Sequence, residues 1–368
     1  MRKNIYVDIH LLQDVPPANL NRDDTGSPKS ARYGGVDRLR VSSQAWKRAT
    51  RKHFEERMDP QMLGIRTRRV REILTDALVA GDVPADVAKE IVTELLSQIK
   101  LTAGKKESES AYLLFFSRPQ IALLVDEVTA RREQWADPKS LASEIDMPRI
   151  LGRGHSLDVA LFGRMVADLA EINVDAAAQV SHALATHAAP TQFDYFTAVD
   201  DAQQRDESGA GMIGTVEFNS ATLYRFATVN VPALIENMDD EAAAIAGLEQ
   251  FVRSFVSSMP SGKQNTFAAH TRPGLVLVAV RSDQPVNYMS AFEKPVQAGQ
   301  TGYMLASVKA LSSFVTGEGA RWGDAPMFTA LSCATGLADA AVELGTSSSF
   351  EEVVQGMCAA VGGALRHG

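Results

Sequence analysis

Residues 4–12 read NIYVDIHLL, with Ile5, Val7, Ile9 and Leu11 on one side of an alternating pattern and Tyr6, Asp8 and His10 on the other. A period of two over this length predicts a half-buried β-strand, which Pro16–Pro17 should stop. Outward from it, residues 18–36 (ANLNRDDTGSPKSARYGGV) are polar and rich in turn formers, and they read as a long exposed loop. Loops above about 15 residues in a compact domain are usually functional or disordered. A short strand, Leu39 to Val41, leads into Ser42–Ser43, whose hydroxyls suit a helix cap ahead of QAWKRATRKHFEERM.

From about 57 to 180 the pattern turns helical, in TRRVREILTDALVAG, DVAKEIVTELLSQIK and two apolar-periodic stretches around 111–133, punctuated by Gly81–Pro84, Gly104 and Pro119. It reads as an all-helical insertion between pieces of a mixed sheet. Strand signals return in Thr215 to Val231 (TVEFNSATLYRFATVNV) and in Leu275 to Val280, with an alanine-rich helix candidate, Asp239 to Ser258, between them. Residues 190–214 read as an extended hairpin or loop, and the tail after 300 as two helices around a short strand. This order predicts an α+β fold with segregated helices, not a regular βαβ alternation.

The 368 residues carry a formal charge of −8, from 37 Lys and Arg against 45 Asp and Glu. Taken whole, that balance argues against a general nucleic-acid binder. The distribution argues otherwise: residues 1–71 hold 16 Lys and Arg against 8 acids, and the remaining 297 hold 21 against 37. A basic amino-terminal fifth on an acidic body suggests a patch that holds an anion. Two cysteines, Cys333 and Cys358, cannot build a disulfide framework or a four-sulfur zinc site, which makes a reducing cytoplasm the expected compartment. The amino terminus lacks the continuous apolar run of a secretory signal, and no window approaches the roughly 18 apolar residues of a membrane span.

Several motif matches fail on context. Asp24–Thr25–Gly26–Ser27 spells an aspartic-protease string, but a polar stretch precedes it and no second copy supplies the partner carboxylate. Gly209, Gly211 and Gly214 satisfy G-x-G-x-x-G but lead into a strand, whereas a dinucleotide site needs a helix there. His182 and His187, five apart, sit about 140° apart on a helical wheel and cannot share a metal as an i, i+4 pair would; each reads as an ordinary surface or core histidine. The cationic helix differs. Lys47, Arg48, Arg51 and Lys52 form two like-charge i, i+4 pairs, which cost helix stability unless an anion lies against them. The alternative is a solvated basic face pairing with Glu55 and Glu56. Arg22, Lys29, Arg32, Arg38 and Arg40 in the preceding segment shift the balance toward a polyanion.

These residues have a family. LNRDD (20–24), Gly34–Gly35, RLRVSSQ (38–44) and WKRA (46–49) resemble CasC, the repeated backbone subunit of the type I-E CRISPR Cascade complex. The resemblance resumes in GRM (163–165), FDYFTAVDD (193–201), GTVEFNSATLYRFATVNV (214–231), PSGKQNTFAA (260–269) and SAFEKPV (290–296), and covers roughly half the chain in matching order. It implies an RNA-recognition-like (ferredoxin-like) palm over residues 1–56, 181–189 and 217–300. Helical fingers would occupy 57–180, a β-hairpin thumb 190–216 and a helical and strand segment 301–368.

By the same resemblance, Arg22, Lys29, Ser42, Gln44, Lys47, Arg48, Arg51, Lys263, Gln264 and Asn265 grip RNA phosphates. Phe196 and Thr197 on the thumb and Met165 opposite it wedge between stacked bases, as apolar side chains do elsewhere. Partners would be the crRNA, target DNA through the guide, further copies head-to-tail, and the large, small, 5′-end cap and crRNA-processing 3′-end subunits. No cofactor, metal or membrane is expected. The first strand carries only Tyr6 as an aromatic, so base stacking on the sheet is not expected. A guide holder reads no sequence; pairing does that. The rival reading is a metal-dependent endoribonuclease like some type III backbone subunits, using Asp23 and Asp24 around Mg²⁺. A filament of protein alone is a third.

Overall fold

The computed structural model describes residues 4–101, 109–110, 113–166, 170–198, 212–323 and 325–366. Its strands are β1 (Tyr6–Ala18), β2 (Ser30–Tyr33), β3 (Val36–Val41), β4 (Gly64–Thr67), β5 (Leu114–Ser117), β6 (Ala178–Val180), β7 (Ala183–Ala185), β8 (Gln192–Ala198), β9 (Met212–Asn230), β10 (Leu275–Arg281) and β11 (Phe328–Cys333). The helices that matter below are α1 (Ser43–Arg57), α2 (Val70–Ala80), α3 (Ala85–Gln98), α4 (Arg118–Thr129), α5 (Val231–Met238), α6 (Glu241–Ser257), the short α7 (Gln264–Phe267), α8 (Gly302–Trp322) and α9 (Phe350–Arg366).

The main sheet runs β11-β10-β1-β9-β7-β3-β2, with β6 and β8 also pairing on β9. Its central order, β10-β1-β9-β7, is the 4-1-3-2 order of a ferredoxin-like unit, with α1 after the first strand and α6 between the third and fourth. The fold is α+β, with antiparallel pairing of β1 to β10, β10 to β11, β3 to β7 and β7 to β9.

The opening strand departs from expectation twice. It continues through Pro16–Pro17 to Ala18, since its ladder with β10 ends at Leu12 and prolines near a strand end remove no bond from it. It is also buried on both faces: Asp8 and His10 are as inaccessible, at 0%, as Val7 and Ile9. The second face is covered by Val308 and Leu311 of α8 and by Tyr288 and Phe292, packed with Leu12, Tyr224, Phe226, Leu275 and Leu277. Asp8 survives there by accepting the Val286 N–H at 2.9 Å, with the Arg281 guanidinium at 3.6 Å. His10 Nδ1 lies 2.8 Å from the Tyr224 hydroxyl, and its ring stacks on Tyr288 at 4.5 Å. Burial pushes the Asp8 carboxyl up to about 6 and the His10 imidazole down to about 3.

The segment expected as a single loop over 18–36 contains β2, which pairs in a hairpin with β3, the strand expected at Leu39–Val41, turning at Gly34–Gly35. Gly34 has φ +58°, and a Cβ there would lie 1.7 Å from the Glu293 carbonyl oxygen, so no side chain fits. Beside it Arg38 is fully buried and donates to the carbonyls of Tyr33, Ala185, Phe292 and Glu293 at 2.9–3.2 Å. Arg38 therefore leaves the basic surface to which its sequence position assigned it. The GG, RLR and SAFEKPV strings meet here as one packing unit.

Two compact units divide the chain: residues 1–4, 51–179 and 229–250 form one, and 5–50, 180–228 and 251–368 the other. The first has its own core, including Leu74, Leu78, Ile91, Leu95, Leu124 and Leu141 from α2, α3, α4 and their neighbours. It is not all-helical, because β4 and β5 pair antiparallel, Gly64 to Ser117 through Thr67 to Leu114. All of Leu114–Ser117 is buried, and a short run without polar alternation does not distinguish strand from helix. Residues 229–250, with α5 capped by Asn230 through the Ala233 N–H, group with this unit. Residues 301–368 group with the sheet unit, to which they contribute β11 and α8.

Candidate nucleic-acid interface

In the sheet unit, three chain segments converge through backbone contacts. Asn21 is the hub: its carbonyl accepts the Lys29 N–H at 2.9 Å, and its Oδ1 accepts the Ser42 N–H at 2.8 Å. That bond ties the LNRDD turn to the start of α1, where the Ser42 hydroxyl caps the helix through the Ala45 N–H at 3.3 Å. The PSGKQNT loop seats on the same turn, because a Cβ on Gly262 would stand 2.3 Å from the Leu20 oxygen and 2.6 Å from that of Asn19. Only glycine allows the two backbones to touch there. Lys263 follows in the left-handed region, φ +50°, and opens α7.

The convergence sets Arg22 and Lys29 of the first loop, Gln44, Lys47 and Arg48 of α1, and Lys263, Gln264 and Asn265 of the second on neighbouring segments. Arg22, Gln44, Arg48, Gln264 and Asn265 are exposed; Lys29, Lys47 and Lys263 are half-buried. On α1 the stripe Trp46, Thr50 and Phe54 is buried, which turns Gln44, Lys47 and Arg48, at i, i+3 and i+4, the other way. Partial burial lowers the Lys47 ammonium below its ordinary value, a cost that a nearby anion would reverse.

Arg51, on the same helix, belongs to the helical unit. It lies 3.4 Å from the Asp158 carboxylate and 4.5 Å over the Phe115 ring, so a partner already holds its charge. The Ser42 side chain is 5% exposed and serves the cap.

The Asp23 carboxylate closes its own turn: Oδ1 accepts the Thr25 and Ser27 N–H groups, each at 3.0 Å, and the Thr25 hydroxyl at 2.7 Å. Those bonds hold it below the usual carboxylate range. Asp24 is exposed beside it. Among the described residues no group of three or more His, Cys, Asp or Glu side chains is arranged to hold a metal ion. A metal bound at Asp23 would have to compete with the turn that the carboxylate secures.

The hairpin is β8 on the first part of β9, in register from Gln192 opposite Phe218 to Ala198 opposite Met212. Its tip, with Asp200, Asp201, Gly209 and Gly211, lies outside the described residues. β9 is one 19-residue strand, so the arm that pairs with β8 continues directly into the sheet. At its base Asn19 donates to the Glu217 carbonyl at 2.9 Å and the Phe218 and Phe267 rings lie 5.7 Å apart, which fixes the hairpin beside the basic loops. Phe196 lies opposite Gly214, and its ring fills the space a Gly214 Cβ would take, 2.4 Å from Cζ. Thr197 is exposed on the other face, with Phe193 at 67% and Tyr195 at 64%. These two aromatics were not singled out from the sequence; alternation from Phe196 would have placed them on the open face.

Met165, in the helical unit, is 85% exposed, which rules out a place in a core. The preceding Arg164 is buried and donates to the carbonyls of Ile172, Phe115 and Leu151, so the methionine is displayed from a fixed backbone. Among the described residues no helix is long and apolar enough to cross a membrane.

A family model described as CT1975-like protein (Cas_CT1975) matches residues 7–356. Among solved structures, the chain is similar to one described as "CRISPR RNA-guided surveillance complex, pre-nicking", at 34% identity and a TM-score of 0.83, covering 96% of this chain and 99% of that one. A second, "CRISPR RNA-guided surveillance complex", is 29% identical with a TM-score of 0.74 over the same shares. No curated protein matches it.

Proposed function

This chain belongs to the CT1975-like family, and from that membership we propose that it is the repeated backbone subunit of a type I-E CRISPR surveillance complex. In this reading it polymerises head-to-tail along the spacer of a guide RNA and grips it by phosphate contacts that ignore sequence. It kinks the guide at intervals and presents the segments between for pairing with target DNA in antiviral defence. It is a non-catalytic scaffold of a cytoplasmic ribonucleoprotein, beside the large, small, cap and crRNA-processing subunits. Head-to-tail contact that does not close gives a helical filament.

One observation carries the reading: Gly262 seats the PSGKQNT loop on the LNRDD turn, next to the exposed face of α1. Cationic and amide side chains from three segments are thereby gathered with no base-reading element among them. The covered sheet supports the same conclusion. Ordinary RNA-recognition domains stack bases on an open sheet, and here Asp8, His10 and Tyr224 lie beneath α8 and the Tyr288–Phe292 turn. The turn bonds of Asp23 weigh against the ribonuclease reading.

The test is Lys47→Ala with Arg48→Ala. Two lost phosphate contacts lower the slope of log affinity against log salt by about 1.4 on single-stranded RNA, with weaker retention at every salt concentration. An unchanged affinity and slope would remove this assignment.

A further inference from the structure

Arg40, at the end of β3, is held at two points: its Nε donates to the Ser30 carbonyl at 3.1 Å, and its Nη1 lies 3.4 Å from His182 Nδ1. The Ser43 N–H is also 3.4 Å from that same nitrogen. Both neighbours are donors only, so Nδ1 must be the unprotonated acceptor, and the ring's proton sits on Nε2. His182 is itself fixed, since the preceding Ser181 N–H and hydroxyl bond to the Phe226 carbonyl at 3.0 and 3.1 Å. Arg40 forms no ion pair among the described residues, and its own N–H donates to the Lys29 carbonyl. A guanidinium pinned at two points, beside a lysine and paired with no carboxylate among the described residues, is a donor fork whose geometry suits an anion.

Resting on the guide-holding role above, we propose that Arg40 is a further phosphate contact and that His182 is its positioning residue. The imidazole acts as a neutral acceptor that aims the fork at the RNA backbone. Burial and the Arg40 and Lys29 charges all lower the His182 imidazole, which is consistent with the neutral form that this geometry requires.

The test measures binding of the full chain to a mixed-sequence single-stranded RNA, at several salt concentrations. Arg40→Ala should weaken binding about tenfold and lower the salt slope by about 0.7. His182→Ala should weaken it about threefold or more through the lost alignment. His182→Asn, whose amide oxygen can accept in place of Nδ1, should restore most of the loss. In an Arg40→Ala background, His182→Ala should add nothing, because its effect runs through the arginine. Additive losses, no rescue by asparagine, or wild-type binding by Arg40→Ala would overturn the proposal. Should Lys47→Ala with Arg48→Ala abolish retention while Arg40→Ala and His182→Ala do not change it, this inference fails and the guide-holding role stands. Should the unaltered chain not bind RNA, both fall.

Discussion

Arg38 and Arg40 are two residues apart on one strand and have opposite fates. One is buried with four carbonyls; the other stands half-buried and, among the described residues, pairs with no carboxylate. Charge counting found the cationic segment but could not separate these two, because the Phe292 carbonyl that claims Arg38 lies 254 residues away. Other buried groups make stability depend on pH. His10, lowered to about 3, and His155, lowered to about 4, stay neutral when folded and take up protons on unfolding. The stability they confer is present above about 6.5 and lost as pH falls toward those values. Asp8 acts in reverse: raised to about 6, it favours the folded state below 3.8 and loses that contribution as pH rises through about 6. Two histidines outweigh one aspartate, so the denaturant midpoint should fall from pH 7 to pH 4.5. Asp8→Asn should steepen that fall by removing the opposing proton, and a flat or rising profile would contradict this assignment of charges.

Elements with a clear period were legible in the sequence. The alternation of β1, the strand signal of β9, the cap and cationic run of α1, and α6 between β9 and β10 follow local rules that tertiary contacts reinforce. Strand β2 and the β4–β5 ribbon were not legible, one hidden in a polar stretch and the other in a uniformly apolar run. The site divides the same way. The loops and α1 were readable from charge and cap, whereas their convergence depends on Gly262 meeting a backbone some 240 residues earlier in the sequence. The GRM turn offers a sharp contrast. Met165→Ala should change unfolding free energy by less than about 0.5 kcal/mol, being 85% exposed. Arg164→Ala, next to it, should cost about 3 kcal/mol because three carbonyls lose their donor. Equal losses in urea unfolding would mean that Met165 is packed, not displayed.

For the molecule as a whole, the net charge of −8 describes the acidic body, while the cations of the proposed site, Arg22, Lys29, Lys47, Arg48 and Lys263, all fall in the sheet unit. Residues 301–368, read from the sequence as two helices around a short strand, supply α8 over the sheet's second face and β11 at its edge. They cover the sheet face on which a smaller RNA-recognition domain would read bases, so that in the proposed role loops and a helix face hold the backbone. The proposed role is therefore sequence-independent electrostatic gripping of RNA. Its most direct test is the salt dependence of binding to two unrelated single-stranded RNAs of equal length. The predicted result is the same affinity and the same steep slope for both, with about 0.7 per phosphate contacted. A tenfold preference for one sequence, or an affinity indifferent to salt, would contradict it.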